Sequence, residues 1–220
     1  MNRRVIGDGM IGRAFQLCFP DDQAVTFYAA GVSNSEGCDY RDFQREEARL
    51  RESFDQERTL VYFSTCAVYG PEQHTPYVAH KLAMEEVVKT QPKWLILRLS
   101  NVAGRTTNPH TLLNYLFARI SRSERITVWA KARRNIIDVS DVVATTERLL
   151  EIGVRDEIVN VAAPKDYNML EIVAAFEDVL GKRAIIDLVD KGGSYPIDVA
   201  RMLTPFRRDY LRNVIAKYYG

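Results

Sequence analysis

Short, nearly unbroken apolar runs alternate with amphipathic stretches along the first half of the chain. RRVI precedes MIGRAFQLCF, AVTFYAA precedes DFQREEARLRESF, TLVYFS precedes TPYVAHKLAMEEVV, and WLILRLS precedes TLLNYLFARI. The first member of each pair is strand length and apolar on both faces, as strands buried between two layers are. The second member carries apolar residues at helical spacing, as with Val78, Leu82, Met84, Val87 and Val88. Strand followed by helix, repeated, predicts a parallel sheet flanked by helices. After residue 122 the rhythm loosens. It predicts a strand at ITVW, a helix from about Val139 to Glu151, a strand at EIVNV, and helices at MLEIVAAFEDVLG and RRDYLRNVIAKYY. A small substrate lobe is expected in this half. Without repeats, low-complexity tracts or a long linker, the chain predicts one intimately packed α/β unit.

Composition narrows the partners. The 220 residues are 46% hydrophobic, enough to bury one sizeable core, and the net charge of +1 gives no sequence-wide reason to expect nucleic acid or an anionic membrane. The first ten residues run straight into a glycine-rich turn, and no apolar run approaches the roughly 18 residues of a membrane span. A cytoplasmic protein is expected. Cys18, Cys38 and Cys66 are odd in number and widely spaced, which points to ordinary thiols rather than disulfides or a zinc site.

Four stretches carry candidate chemistry. In VIGDGMIGRAF, Gly7, Gly9 and Gly12 stand between a strand and a helix. There Gly7 would permit the turn, Gly9 would let a pyrophosphate approach the backbone, and Gly12 would let helix pack on strand. In YFSTCAVYG, Ser64 and Thr65 end a buried strand, a place that serves either a ligand crevice or a helix cap. In YVAHK, Tyr77 and Lys81 share a helix face, so that the ammonium can favour the phenolate and fit the tyrosine for proton transfer. Eleven Tyr and eight Lys in 220 residues yield about 0.4 such matches by chance, so its neighbours decide its meaning. In WLILRLSNVAG, Asn101 and Gly104 follow another strand.

In this order the stretches resemble the extended short-chain dehydrogenase/reductase family, in particular its nucleotide-sugar epimerases, dehydratases and reductases. Ser64, Thr65, Val68, Tyr69 and Gly70 match S-[ST]-x-x-V-Y-G, and Tyr77 and Lys81 match Y-x-x-x-K. Arg98, Asn101, Val102 and Gly104 match R-x-x-N-V-x-G, while RRNIIDVSDVV and EIVNVAAPKDYNMLEIVAAFEDVLGK resemble two later segments. The resemblance implies a Rossmann-like, doubly wound parallel sheet with a small C-terminal substrate lobe. Residues 1–122 and 133–150 would form mainly the Rossmann core, and 123–132 and 151–220 mainly the lobe. It implies NAD or NADP as cofactor and a nucleotide sugar as substrate, with a homodimer as the protein assembly to consider. Thr65 would hold the substrate oxygen, Tyr77 would transfer the proton, and Lys81 would bind the nicotinamide ribose and tune Tyr77. Gly7, Gly9, Met10, Ile11 and Gly12, together with Ala29, Ala30 and Gly31 after the next strand, would line the cofactor. Asn101, Arg133 and Arg134 would meet the substrate, the two guanidiniums suiting its diphosphate. No metal site is expected.

The departures from the family shape the expectation. Ile6 stands at the family's first glycine. AVTFYAAG resembles the family's fourth strand yet follows the first helix almost directly, so the second and third strands are expected to be missing, the adenosine side truncated, and the first strand an edge blunted by Arg3 and Arg4. Cys66 and Ala67 occupy the positions of the acidic pair of 4,6-dehydratases, which favours an epimerase or reductase. His74 and His80 lie near Tyr77 and read as surface or packing residues. The rival is a degenerate Rossmann module that binds a nucleotide or a partner without turnover.

Overall fold

A computed structural model describes residues 5–19, 24–33, 39–71, 75–202 and 206–220. Arg3, Arg4, Cys38 and His74 lie outside the described residues. The chain runs β1 (Val5–Ile6), α1 (Met10–Cys18), β2 (Val25–Tyr28), α2 (Tyr40–Glu52), β3 (Thr59–Thr65), a 3-10 turn (Cys66–Tyr69), α3 (Pro76–Val88), β4 (Trp94–Leu99), β5 (Asn101–Ala103) and α4 (Leu112–Ser121). It continues through β6 (Arg125–Trp129), β7 (Arg133–Asp138), α5 (Val139–Glu151), β8 (Glu157–Val161), β9 (Asp166–Asn168), α6 (Met169–Leu180), β10 (Ile185–Val189) and α7 (Tyr210–Tyr219).

The central sheet is parallel throughout, in the order β1-β2-β3-β4-β8, with β1 at one edge. Alternation along β3 divides its side chains between two layers. Val61 and Phe63 join Phe15 of α1 and Val142 and Leu149 of α5, whereas Leu60 and Tyr62 join Leu50 of α2 and Met84 and Val88 of α3. Phe15 is fully buried, with its ring centroid 4.9 Å from those of both Phe27 and Phe63. Burial of that size contributes roughly 1.5–3 kcal/mol per side chain. Local signals set the helix ends. Thr75 caps α3 by accepting from the Val78 N–H, with Pro76 in the first turn, and Asn168 and Glu171 form a reciprocal capping box on α6.

A second core lies among α4, α6, α7, β6 and β7. Two pieces fall differently from the sequence expectation. β8, expected in the C-terminal lobe, pairs with β4 in the central sheet, because its Val159 and Val161 complete the layer under α5. β7, expected in the Rossmann core, pairs with β5 in parallel and β9 in antiparallel fashion, forming a three-stranded sheet that bridges the two cores. α7 is clamped to this bridge: Lys217 and Tyr218 donate to the Asp138 carboxylate at 2.8 and 2.7 Å.

Candidate active site

The carboxyl ends of β1 to β4 converge on one crevice, where open parallel sheets bind their ligands. Its first wall is the glycine turn between β1 and α1. Gly7 has φ of +118°, and a Cβ there would lie 2.4 Å from the Ala29 carbonyl oxygen. A Cβ on Gly12 would lie 2.2 Å from the Gly7 carbonyl oxygen. These two glycines are demanded by close backbone packing. Gly9 differs: a Cβ there would meet nothing within 4 Å. Gly9 also begins α1 with no side-chain cap and no acidic residue in the first turn, so the N–H groups around Met10 and Ile11 suit an anion. Met10 itself packs against Gly104, where a Cβ would stand 2.6 Å from its sulfur.

The second wall is the end of β3. Thr65 is half-buried, and its hydroxyl oxygen accepts from the Ala67 N–H at 3.1 Å, capping the 3-10 turn and leaving its O–H as the donor. Ser64 is used structurally. It donates at 2.5 Å to Glu85, a carboxylate only 1% exposed that also receives two bonds from the Arg98 guanidinium at 2.9 and 2.6 Å. Arg98 donates further to the Tyr69 hydroxyl, which donates to Asn160. Thus Ser64 and Arg98 brace α3 against the sheet, and Tyr69 links β4 to β8 across it. Cys66 is buried, its thiol pushed up to about 12 by burial, and it supplies no acid or base at that position.

Tyr77 is half-buried at the start of α3, near enough to Tyr62 to bear on its ionisation. Lys81, one turn on and 3% exposed, lies within hydrogen-bond reach of the Tyr62 hydroxyl at 3.0 Å and of Glu46 Oε1 at 3.1 Å. Glu46 comes from α2, is 2% exposed, and also accepts from Tyr62 at 2.7 Å and from the Val32 N–H at 2.6 Å. His80 Nε2 lies 3.0 Å from its other oxygen. Burial alone would raise the Glu46 pKa; the His80 hydrogen bond, the Lys81 charge and the Tyr62 and Val32 hydrogen bonds prevail and lower it to about 2. Tyr62 is pushed well above the usual tyrosine range by burial and then by the Glu46 charge. His80, stacked on Phe43 at 4.1 Å, is therefore a buried hydrogen-bonding partner rather than a surface residue.

Glu46 was not among the residues singled out from sequence. The available signal was its place between Phe43 and Leu50 on the inward stripe of a highly charged helix, where an apolar residue is expected.

The third wall is a cleft of about 220 Å³ lined by Ser100, Asn101, Arg133, Asn135, Asp166 and Tyr195, among others. Asn101 donates to the Asn135 carbonyl, and the Asn135 side chain pairs with both backbone groups of Ala163. Arg133 spends its fork on Asp166, at 3.0 Å to the carboxylate and 2.9 Å to the carbonyl. Arg134 donates to the Arg133 carbonyl. Ser100 Oγ is buried there with no hydrogen-bond partner among the described residues. Tyr195 closes the cleft towards β3, its ring 3.1 Å from where a Cβ on Gly70 would lie.

With this geometry in hand, the sequence matches the NAD dependent epimerase/dehydratase family over residues 45–162, more than half of the chain. The chain belongs to that family. As a family member it also shares its fold with solved structures. UDP-glucuronic acid 4-epimerase from Bacillus cereus, in complex with NAD, superposes with a TM-score of 0.71 at 19% identity, covering 93% of this chain and 75% of that one. UDP-N-acetylglucosamine 4-epimerase from Methanobrevibacter ruminantium M1, in complex with UDP-N-acetylmuramic acid, gives 0.71 at 15% identity, covering 88% and 74%. UDP-glucose 4-epimerase from Thermotoga maritima, with UDP-glucose, gives 0.70 at 17%, covering 88% and 76%. The family match includes Thr65, Tyr77, Lys81, Asn101, Arg133 and Arg134; the glycine turn lies before it. No helix among the described residues is long and apolar enough to cross a membrane, and no cluster of metal-ligating side chains occurs among them.

Proposed function

We propose that this family member is an NAD-dependent epimerase of a nucleotide-linked sugar, with Tyr77 as the proton-transfer group. The observation that carries the proposal is the open approach over Gly9 after β1, in a parallel sheet where Thr65 ends β3 and Tyr77 and Lys81 follow on α3. The residues present fit a dinucleotide there: Gly9 leaves room for the pyrophosphate, the α1 N-terminus offers N–H groups, and Ala29, Ala30 and Gly31 follow the adjoining strand. NAD, when bound, supplies the hydride acceptor and donor. Tyr77 would take the proton from the sugar hydroxyl and give it back to the same oxygen. Thr65 donates to the same oxygen, and Lys81 keeps positive charge beside Tyr77.

Ser100 and Asn101 in the cleft, and Arg134, whose charge bears on the cleft residue Tyr195, are the groups we assign to the sugar nucleotide, since Ser100 Oγ has no partner among the described residues and Arg133 is held by Asp166. A UDP-sugar is the first choice, because two of the proteins of like fold hold UDP-linked sugars and the third is named as an epimerase of one. The buried thiol at Cys66 favours epimerisation or reduction over dehydration. With β1 at the sheet edge, the adenosine end would be more exposed, and a second copy of the chain could cover it.

The experiment is conversion of a UDP-sugar panel in the presence of NAD, with products resolved by NMR. The wild type converts at least one sugar, and Tyr77→Phe retains NADH binding while losing roughly 10²–10⁴-fold in rate. A wild type that binds NADH and converts none of them contradicts the proposal. That result would install the rival, a nucleotide-binding module without turnover.

A further inference from the structure

A carboxylate 2% exposed needs a reason, and Glu46 fills both of its oxygens. Tyr62 and Lys81 meet Oε1, and the Val32 N–H and His80 meet Oε2. Nothing about stability requires this arrangement, because buried ion pairs are often matched or bettered by apolar residues of similar volume. The other partner explains it. Lys81 is 3% exposed, and an ammonium buried without a counter-charge loses its proton. A lysine that must stay charged beside Tyr77 while so deeply placed needs a carboxylate against it. The backbone of Gly31 closes the pair from above: a Cβ there would lie 2.5 Å from Lys81 Nζ and 2.9 Å from Glu46 Oε1.

We propose that Glu46 is a positioning residue of the active site, whose buried carboxylate holds the Lys81 ammonium charged and in place beneath the Gly31 turn and so governs Tyr77 through Lys81. The proposal rests on the reading of Tyr77 as the proton-transfer group. Every element packed on the pair contributes a group to it. β2 supplies Tyr28, which donates to the Glu46 backbone carbonyl at 3.0 Å, and β3 supplies Tyr62. α3 supplies Tyr77, His80 and Lys81, with Glu85 a turn further on and already held by Ser64 and Arg98. α2 adds Asp42, Arg45 and Arg49 on its more exposed side, where Asp42 and Arg45 pair with each other.

The test is a pH titration of Tyr77 in protein carrying ¹³Cζ-tyrosine, its NMR signal assigned by Tyr77→Phe. In Glu46→Gln the counter-charge of Lys81 is gone, the ammonium gives up its proton more easily, and the Tyr77 midpoint rises by about one pH unit or more. In a Lys81→Met background the same substitution produces no rise, because the effect travels through the lysine. Gly31→Ala parts the pair without altering any titratable group, and it also raises the midpoint; it carries the test if Glu46→Gln fails to fold. A Tyr77 midpoint that falls or stays unchanged in Glu46→Gln, or in Gly31→Ala where only that variant folds, overturns the proposal. Neither substrate nor turnover enters the measurement, so a protein that converts no sugar would sink the functional reading and leave this titration standing.

Discussion

Gly9 and Gly12 lie three residues apart, at the cap and in the first turn of α1, and the structure separates their roles sharply enough to predict opposite outcomes for the same substitution. In Gly12→Ala the new methyl would sit 2.2 Å from the Gly7 carbonyl oxygen and 2.7 Å from its carbon. Both obstacles are backbone, so α1 must move by about an ångström, and overpacking of this kind costs about 1–3 kcal/mol. Alanine recovers up to about 1 kcal/mol of helix propensity. A contact of 2.2 Å with backbone puts the overpacking cost at the upper end of its range, about 2–3 kcal/mol, and the net expectation is a loss of about 1–2 kcal/mol, read as a fall in Tm of roughly 2–8 °C in a chain of this size. In Gly9→Ala the methyl meets nothing within 4 Å, and φ of −70° suits any residue, so stability should stay within about 0.5 kcal/mol of wild type. The methyl would instead stand where the pyrophosphate approaches, and NADH affinity should fall at least about tenfold, or 1.4 kcal/mol. Thermal unfolding and NADH fluorescence titration on the two purified variants measure both quantities. A Gly9→Ala protein that binds NADH like wild type, or a Gly12→Ala protein as stable as wild type, refutes the division of labour in the turn.

Three further outcomes follow from the interior. Arg98→Met strands the buried Glu85 carboxylate and should cost about 3–5 kcal/mol in urea unfolding, with Arg98→Met/Glu85→Gln losing less than the sum of the single changes. Glu46 is held at about 2 when folded against an ordinary 4.5, so its contribution is complete above pH 4.5 and is lost as pH falls towards 2. Unfolding midpoints between pH 6 and pH 2.5 should show a drop on the order of 2–3 kcal/mol that Glu46→Gln flattens. Phe15→Ala removes a fully buried ring packed on Phe19, Phe27 and Phe63 and should cost about 3–5 kcal/mol, which calorimetry would register as a large fall in Tm.

The elements that a local pattern determines were legible in the sequence. α5 and β8 fall where periodicity placed them, because each buries a strong apolar stripe, and α3 starts where Thr75 and Pro76 announce it. β5, β9 and β10 were not legible. Three residues such as Asp166–Asn168 carry no period, and the exposed Ile185 and Leu188 of β10 follow no single-face alternation, so pairing with a distant strand makes these strands. The same limit applies to the site. Tyr77 and Lys81 announce themselves by spacing along one helix, whereas Glu46 reaches Lys81 across 35 positions and only the packing of α2 on α3 reveals it. Arg133 shows the converse: its residue type suggested a diphosphate, and its diagonal neighbour across the β7–β9 pairing, Asp166, occupies it.

The most direct test of the central claim is titration of the purified protein with NADH, following nicotinamide fluorescence and thermal shift. The open turn over Gly9 and the uncapped start of α1 predict saturable micromolar binding that raises Tm. Absence of binding at millimolar NADH would contradict the claim that this crevice is a working dinucleotide site.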